Sequence, residues 1–357
     1  MFSKILVKKK NVSDTSLWLS FVPPLVALTA TLIISSILLI ILDYQPLTTF
    51  YAFFIEPLTS LYSFVEIIMK ATILIIIALG LTIGFRANVW NIGAEGQFIF
   101  GAISGSLVAL YFYEKDGFYI IPLMIFAGII GGMFWAMIPA LLKNRFNTNE
   151  ILSSLMLVYV AQLFLSYLVH GPLKDPQGMN FPQSIYFSDS AIYPYIIEGT
   201  RFSITPLMLV IIFPFIYLAL TKSYLGFQLK VSGYSPLAAN YGGFCSKKMV
   251  WISFLTCGAL AGLSGISEVS ANIGQLIPKI SPGYGFTAII VAFLGRLNPI
   301  GIIFSGLLMA LVYIGAESSQ IMLGLPVSIG GVFQGLILFC LLAADFFLFY
   351  KIEFKRK

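Results

Sequence analysis

The chain has 357 residues, 59% of them hydrophobic and only 10% charged, where an ordinary soluble domain carries roughly 25% charged residues. A soluble fold of this size cannot hide so much apolar surface, and a formal net charge of +6 spread along the chain is no basic patch. A soluble enzyme, a disordered chain and a nucleic-acid binder are thereby excluded, and the solvent is mostly lipid.

Residues 1–16 form a basic N-terminal segment with Lys8, Lys9 and Lys10. The apolar run at 17–42 is longer than the roughly 7–15 residues of a secretory signal core, so it reads as an uncleaved span. A crossing helix needs about 20 apolar residues at 1.5 Å rise. By that measure further spans are expected at 64–85, 98–113, 118–142, 151–170, 204–220, 250–269, 286–297, 300–316 and 326–350. The expectation is an all-α, polytopic domain over 17–350 with about ten transmembrane helices, followed by a basic tail at 351–357. The eighth run is short and ends at Arg296-Leu297-Asn298-Pro299, which suits a half-span or a tightly turned hairpin. With the N-terminus in the cytoplasm, most of the 21 basic residues fall on that side, Arg86, Lys143, Lys222, Lys247, Arg356 and Lys357 among them. The positive-inside rule then places both termini in the cytoplasm and requires an even number of spans.

Smaller features follow along the chain. Glu66 and Lys70, spaced i,i+4 in the second span, are expected to pair. Glycines four apart (Gly101 and Gly105, Gly128 and Gly132, Gly258 and Gly262) are expected to let helices approach closely in lipid. Asn147-Thr148-Asn149-Glu150 reads as a capping box opening the fifth span. The longest external loop, 171–202, holds Pro172, Pro176, Pro182 and Pro194; it either folds over a pore mouth or is a plain connector. Glu268 and Glu317 are placed near outer helix ends. Cys245, Cys257 and Cys340 lack CxxC spacing, and His170 is the single histidine, so no disulfide framework or metal centre is expected.

Between the second and third spans the chain turns polar, with Asn88, Asn91, Glu95, Gln97, Gly93 and Gly96 within 13 residues. Non-helical backbone survives at membrane depth only when buried in protein or lining a wet cavity. Asn88, Asn91, Glu95 and Gln97 are therefore candidates to line or support a hydrophilic translocation path; a plain cytoplasmic turn is the other reading. The string FRANVWNIGAEGQFIFGAISG resembles the signature of permease subunits of bacterial ABC importers, in the branched-chain amino acid, ribose and nucleoside permease superfamily. It is most similar to the nucleoside and simple-sugar branch. NEILSSLMLVYVAQ, GYGFTAIIVAFLGRLNPIG and FQGLILFCLLAADF resemble later parts of the same family, so the likeness covers about residues 60–350.

The basic loop 222–248 contains a short helix with readable ends. Ser235 can cap it and Pro236 fits its first position. Leu237 to Tyr241 would propagate it, and Gly242 and Gly243 can end it in a left-handed cap. Under two turns long, such a helix is marginal alone in water and needs a surface to dock on. KVSGYSPLAANYGG resembles the coupling-helix segment of the same permeases, with Gly233, Pro236, Ala238, Ala239 and Gly242 on motif positions and Ser235 where Asn is usual.

The resemblance implies a groove for this helix in a separate ATP-binding subunit, which would hold the ATP and Mg; no cofactor is expected in this chain, and no catalytic activity. It also implies a second permease subunit, an extracytoplasmic solute-binding protein and a place in the bacterial plasma (inner) membrane. No GxxxxGK[ST] nucleotide loop, GxSxG or HExxH string occurs. The alternative is an ion-coupled secondary transporter or a channel, and the lack of an evident relay of mid-membrane acids weighs against it.

Overall fold

The computed structural model describes residues 4–9, 17–197 and 199–355. Of the basic ends read from the sequence, 1–3, 10–16 and 356–357, with Lys10, Arg356 and Lys357, lie outside the described residues.

Each of the ten expected spans coincides with a helix. These are α1 (Leu17–Ile41), α3 (Leu61–Arg86), α4 (Ala94–Tyr111), α5 (Ile120–Phe146), α6 (Glu150–His170), α7 (Thr205–Thr221), α10 (Ser246–Glu268), α11 (Tyr284–Leu294), α12 (Pro299–Leu323) and α13 (Ser328–Phe349). Among the described residues, six helices are long and apolar enough to cross a membrane alone. The number is seven if α7 and α8 (Tyr224–Tyr234), which meet at a 58° bend, count as one span. The short α11 covers about 16 Å at 1.5 Å per residue, half a hydrocarbon core. α12 runs past its expected end to Leu323 and takes Glu317 into the helix.

The chain forms two compact units, one of residues 64–310 and one of residues 1–63 with 311–357. In the first, α3 is the central element: every residue from Ala71 to Phe85 is buried. A helix apolar on all sides is what a buried position selects. α10 packs against both α4 and α5. All three spaced glycine pairs meet at that junction. A methyl group on Gly101 would overlap the Cα of Gly262, one on Gly132 the carbonyl oxygen of Gly258, and one on Gly262 the carbonyl oxygen of Gly128. Backbones touch there because no side chain intervenes.

α10 continues into a widened turn, Val269–Ile273, and stops at Gly274, whose φ of +77° is left-handed. The loop after α6 is fastened to this end. Tyr193, Phe187 and Ser184 donate backbone N–H groups to the carbonyls of Ser270 (3.3 Å), Gly274 (2.8 Å) and Leu276 (2.9 Å). The Tyr193 ring is fully buried.

Details at the helix ends and around the buried acids emerge in the structure. The α6 cap is Asn149, whose side chain accepts from the N–H groups of Ile151 and Leu152, while Asn147 ends α5 with a left-handed φ of 52°. Glu150 is therefore at the first helical position and pairs with Lys143 at 2.9 Å. Glu66 meets Arg201, 4.0 Å away. Glu268, the last residue of α10, is buried, accepts from Asn272 (2.6 Å) and Tyr284 (3.3 Å), and stands within electrostatic reach of Lys70 and Glu66. Isolated carboxylates are not left in such a place, and these donors are the compensation.

In the second unit, α1 packs against α13. Residues 46–58, between the first two expected spans, coil into α2 (Pro46–Phe50), a widened turn at Tyr51–Ile55 and a tight one at Glu56–Leu58. Phe53 is buried there, its ring stacked on Phe333 at 4.9 Å and its carbonyl oxygen against the bare Cα of Gly315. Among the described residues, two short strands accompany the helices. β1 (Lys4–Lys9) and β2 (Tyr350–Lys355) form an antiparallel ribbon in which Lys4 faces Lys355 and Lys9 faces Tyr350.

Candidate functional site: an irregular segment beside a half-length helix

The polar stretch after α3 is not a loop in water. Arg86, the last residue of α3, reaches two other chain turns. Its Nε and Nη2 donate to the Leu297 carbonyl (3.0 and 2.7 Å) and its Nη1 to the Leu220 carbonyl (3.0 Å). Leu297 and Arg296 both hold left-handed angles, φ 53° and 58°, which non-glycine residues seldom adopt. From Arg86 the chain runs alongside α11. Phe85 and Trp90 stack on Phe293 (5.1 and 5.8 Å), and Phe98 meets Tyr284 edge-on (6.0 Å). At the far end the Glu95 carboxylate accepts the Gly285 N–H at 2.6 Å. Gly285 and Leu294 are separated by nine helical steps, or roughly 14 Å. α4 thus starts roughly that far above the Arg86 level, within the thickness that lipid would occupy.

Two helix N-termini, those of α4 and α11, meet at Glu95. A side chain on Gly285 would overlap the backbone of Glu95. The buried carboxylate lies in the first turn of its own helix and bonds the first turn of the other, so one negative group answers two positive helix ends. The Ser281 hydroxyl is its second donor.

The four path candidates divide. Asn91 and Gln97 are buried and exchange side-chain amide bonds at 3.0 and 3.2 Å, while Asn91 Oδ1 also accepts the Gly93 N–H at 2.9 Å. They shape the irregular backbone, and Ser154 of α6 completes it by accepting the Ile92 N–H at 3.1 Å. Replacing Asn91 by leucine strands the Gln97 amide and the Gly93 N–H, each costing about 1–3 kcal/mol. A drop in melting temperature of the detergent-extracted protein is expected, and an unchanged melting curve would remove this scaffold role. Asn88, with φ 56°, is exposed and accepts from Trp90 Nε1 at 3.0 Å; it opens onto a cavity of about 570 Å³ shared with Arg86, Lys230 and Tyr234. Glu95 lines a different cavity.

The loop 222–248 is more helical than its sequence suggests. Ser223 caps α8 by accepting the Gly226 N–H at 3.2 Å, and α8 leads into α9 (Pro236–Tyr241). Ser235 caps α9 as expected, accepting the Ala238 N–H at 3.3 Å, with Pro236 at the first position. Asn240 Oδ1 accepts both the backbone N–H (3.2 Å) and the hydroxyl (3.1 Å) of Ser246, tying α9 to the start of α10. Gly242 is not left-handed; the φ of +83° falls on Gly243. Gly233 is a packing residue, because a methyl there would overlap the Arg86 carbonyl. Ala239 is fully buried on this chain's own side, so the surface left open consists of Pro236, Leu237, Ala238, Asn240 and Tyr241. Leu237 and Tyr241 are 83% and 97% exposed, uncommon for apolar side chains on so short a helix.

Sequence reading missed α8, the reach of Arg86 and the Glu95–Gly285 bond. Only the cap signal at Ser223 announced the first, and the others join residues far apart in the chain. Among the described residues no group of three His, Cys, Asp or Glu side chains is placed to hold a metal ion.

Repeated membrane-length helices, a half-length helix and irregular polar backbone buried between them define a multi-pass integral membrane protein. The chain belongs to the family described as branched-chain amino acid transport system / permease component, whose pattern matches residues 63–342. It is a permease subunit, resident in the plasma membrane. The glucose ABC transporter permease protein TsgB13 of Haloferax volcanii is 35% identical over 347 residues, covering 94% of this chain and 90% of the relative. The guanosine ABC transporter permease protein NupP of Bacillus subtilis is 27% identical, covering 94% and 96%. The nucleoside ABC transporter permease protein NupB of Lactococcus lactis is 28% identical, covering 82% and 83%. No solved structure matches.

Proposed function

We propose that this permease carries a small hydrophilic solute, a simple sugar or a nucleoside, inward across the membrane, driven by ATP hydrolysis on a separate subunit seated on α9. The carrying observation is α9 itself: a capped helix of six residues that presents Leu237 and Tyr241 to solvent while tied through Gly233 to Arg86. An exposed apolar rod of that length calls for a partner surface. ATP and Mg belong to that partner. α9 and both termini are then cytoplasmic, and the ribbon that pairs β1 with β2 supports one side for both ends. On this reading all ten helices cross or enter the membrane, a second permease subunit completes the path, and an extracytoplasmic binding protein delivers the solute. The names of the relatives support the solute class. The buried acids Glu95 and Glu268 are each held by fixed donors, which does not suit an ion-coupled carrier that must load and release a proton.

The reading is tested in membrane vesicles. Uptake is expected to stop on ATP depletion and to persist with a protonophore; the reverse pattern would sink it. Changing Leu237 and Tyr241 together to aspartate is expected to lower ATP-driven uptake at least about tenfold, since burying one such side chain contributes about 1.5–3 kcal/mol. The amount of the chain in the membrane should not change, because both residues are exposed. Co-purification of the ATP-binding subunit measures the docking directly.

A further inference from the structure

Glu95 does more than join two helix ends. It lies at the floor of a cavity of about 280 Å³, beside Ser281, with Gln162 and Lys279 also on the walls. Glu95 and Ser281 are buried; Gln162 and Lys279 are exposed and form the rim.

Gln162 is out of place if lipid covers it. It stands 12 residues into α6, roughly 18 Å from the helix start, near the middle of a core about 30 Å thick. Its neighbours Tyr159, Leu163 and Phe164 are exposed and apolar, as a lipid-facing surface should be. An amide at that depth is stable only against protein or water. The cavity supplies the reason: Glu95, Ser281 and Lys279 give it a polar side, and it opens where Gln162 stands.

The floor has acceptor capacity to spare. A carboxylate offers about four lone-pair sites, and the Gly285 N–H and the Ser281 hydroxyl take two of them. Ser281 has committed its own oxygen to the N–H groups of Gly283 (3.0 Å) and Tyr284 (2.9 Å), so its proton is directed to Glu95. The notch therefore presents a fixed acceptor at the bottom, an amide that both donates and accepts, and an ammonium at the rim. Glu95 and Lys279 together sum to zero charge, while Ile99, Leu165, Pro278 and Ile280 supply apolar walls for the carbon face of a ring.

We infer that this notch is a contact site for a neutral, hydroxyl-bearing solute on the wall of a water-filled path, with Glu95 accepting from solute hydroxyls and Gln162 reading them from the rim. The inference rests on the permease reading above and adds its solute-contacting residues and the class of solute they fit. A net anion meets the buried carboxylate, and so does the carboxylate that free leucine carries.

The test uses the complete transporter in native membrane vesicles. The exposed Cys245 is changed to serine, which leaves Cys257 and Cys340 buried. Gln162→Cys and, as a control on the same exposed face, Leu163→Cys are treated with a membrane-impermeant, charged methanethiosulfonate. Both positions are exposed, so neither variant disturbs packing within this chain. Labelling at 162 is expected to be at least tenfold faster than at 163; equal rates overturn the aqueous notch. D-glucose or guanosine in excess is expected to slow labelling at 162 severalfold, and leucine to leave it unchanged. Labelling that neither of the first two slows, or that leucine slows, overturns the assigned solute class. Uptake that proves independent of ATP would end the importer reading while leaving the labelling rates to decide the notch.

Discussion

Leucine in place of Gly262 is expected to prevent the protein from assembling. The α-carbon of Gly262 faces backbone on both sides: the Gly128 carbonyl and the Gly132 backbone from α5, and the site above Gly101 on α4. Overfilling a core with soft neighbours costs typically about 1–3 kcal/mol. Here the neighbours are main chain and cannot step aside, so the penalty is expected to exceed about 3 kcal/mol, a large part of the roughly 5–15 kcal/mol that holds a domain folded. The measurement is the amount of monodisperse chain recovered in mild detergent. Gly331→Ala is the control, because nothing lies within 4 Å of the methyl group it adds. In a helix that change should be neutral or slightly stabilising. Normal recovery of the Gly262 variant would mean that α4, α5 and α10 do not meet as described.

Arg86→Leu is expected to separate ATP hydrolysis from transport. The guanidinium makes three bonds to two carbonyls, and hydrogen bonds from charged groups contribute about 1.5–3 kcal/mol each. One carbonyl lies at the end of α7, which leads through α8 to α9, the helix proposed to dock on the ATP-binding subunit. The other belongs to the left-handed turn after α11, whose first residues hold Glu95. Arg86 is thus the junction between the end of α7 and the turn that closes the half-length helix. Without it the turn at Arg296 and Leu297 loses the partner that offsets its backbone cost of about 1–3 kcal/mol per residue. The centre of α3 is untouched, so the chain should still insert. The expected result is continued ATP hydrolysis with uptake reduced at least about tenfold, the factor that 1.4 kcal/mol of lost coupling produces. Arg86→Lys should recover only part of it, since a lysine cannot fork to two carbonyls. Uptake per ATP equal to that of the unaltered protein would show that force does not pass through this residue.

Much of this architecture is readable one residue at a time. Apolar run length announced the six long helices that can cross a membrane among the described residues, because a crossing helix must be lipid-compatible over its whole length. The glycine pairs announced the α4–α5–α10 junction, since a missing side chain is itself the contact. Ser235 and Pro236 fixed the start of α9 for local reasons of capping. What the sequence hid was non-local. Asn91, Glu95 and Gln97 looked alike as polar residues in one stretch, yet two of them satisfy each other and the third bonds Gly285, 190 positions away. Ala239 matched a motif, but its direction depends on how α9 leans on the chain behind it, and it points inward. The helical turns at 46–58 escaped notice because prolines at both ends mask so short a coil, whose stability comes from the Phe53–Phe333 stack.

The terminal ribbon bears on the order in which the molecule is made. Residues 64–310 are continuous in sequence and can settle while synthesis is still under way. The other unit joins residues 1–63 to residues 311–357, so α1 emerges early and has no α13 to lean on until residues 328–349 have been made. During that interval the leading helix must be sheltered by lipid or by the insertion machinery. A ribosome stalled before residue 311 would leave a settled bundle with its first helix still unattached.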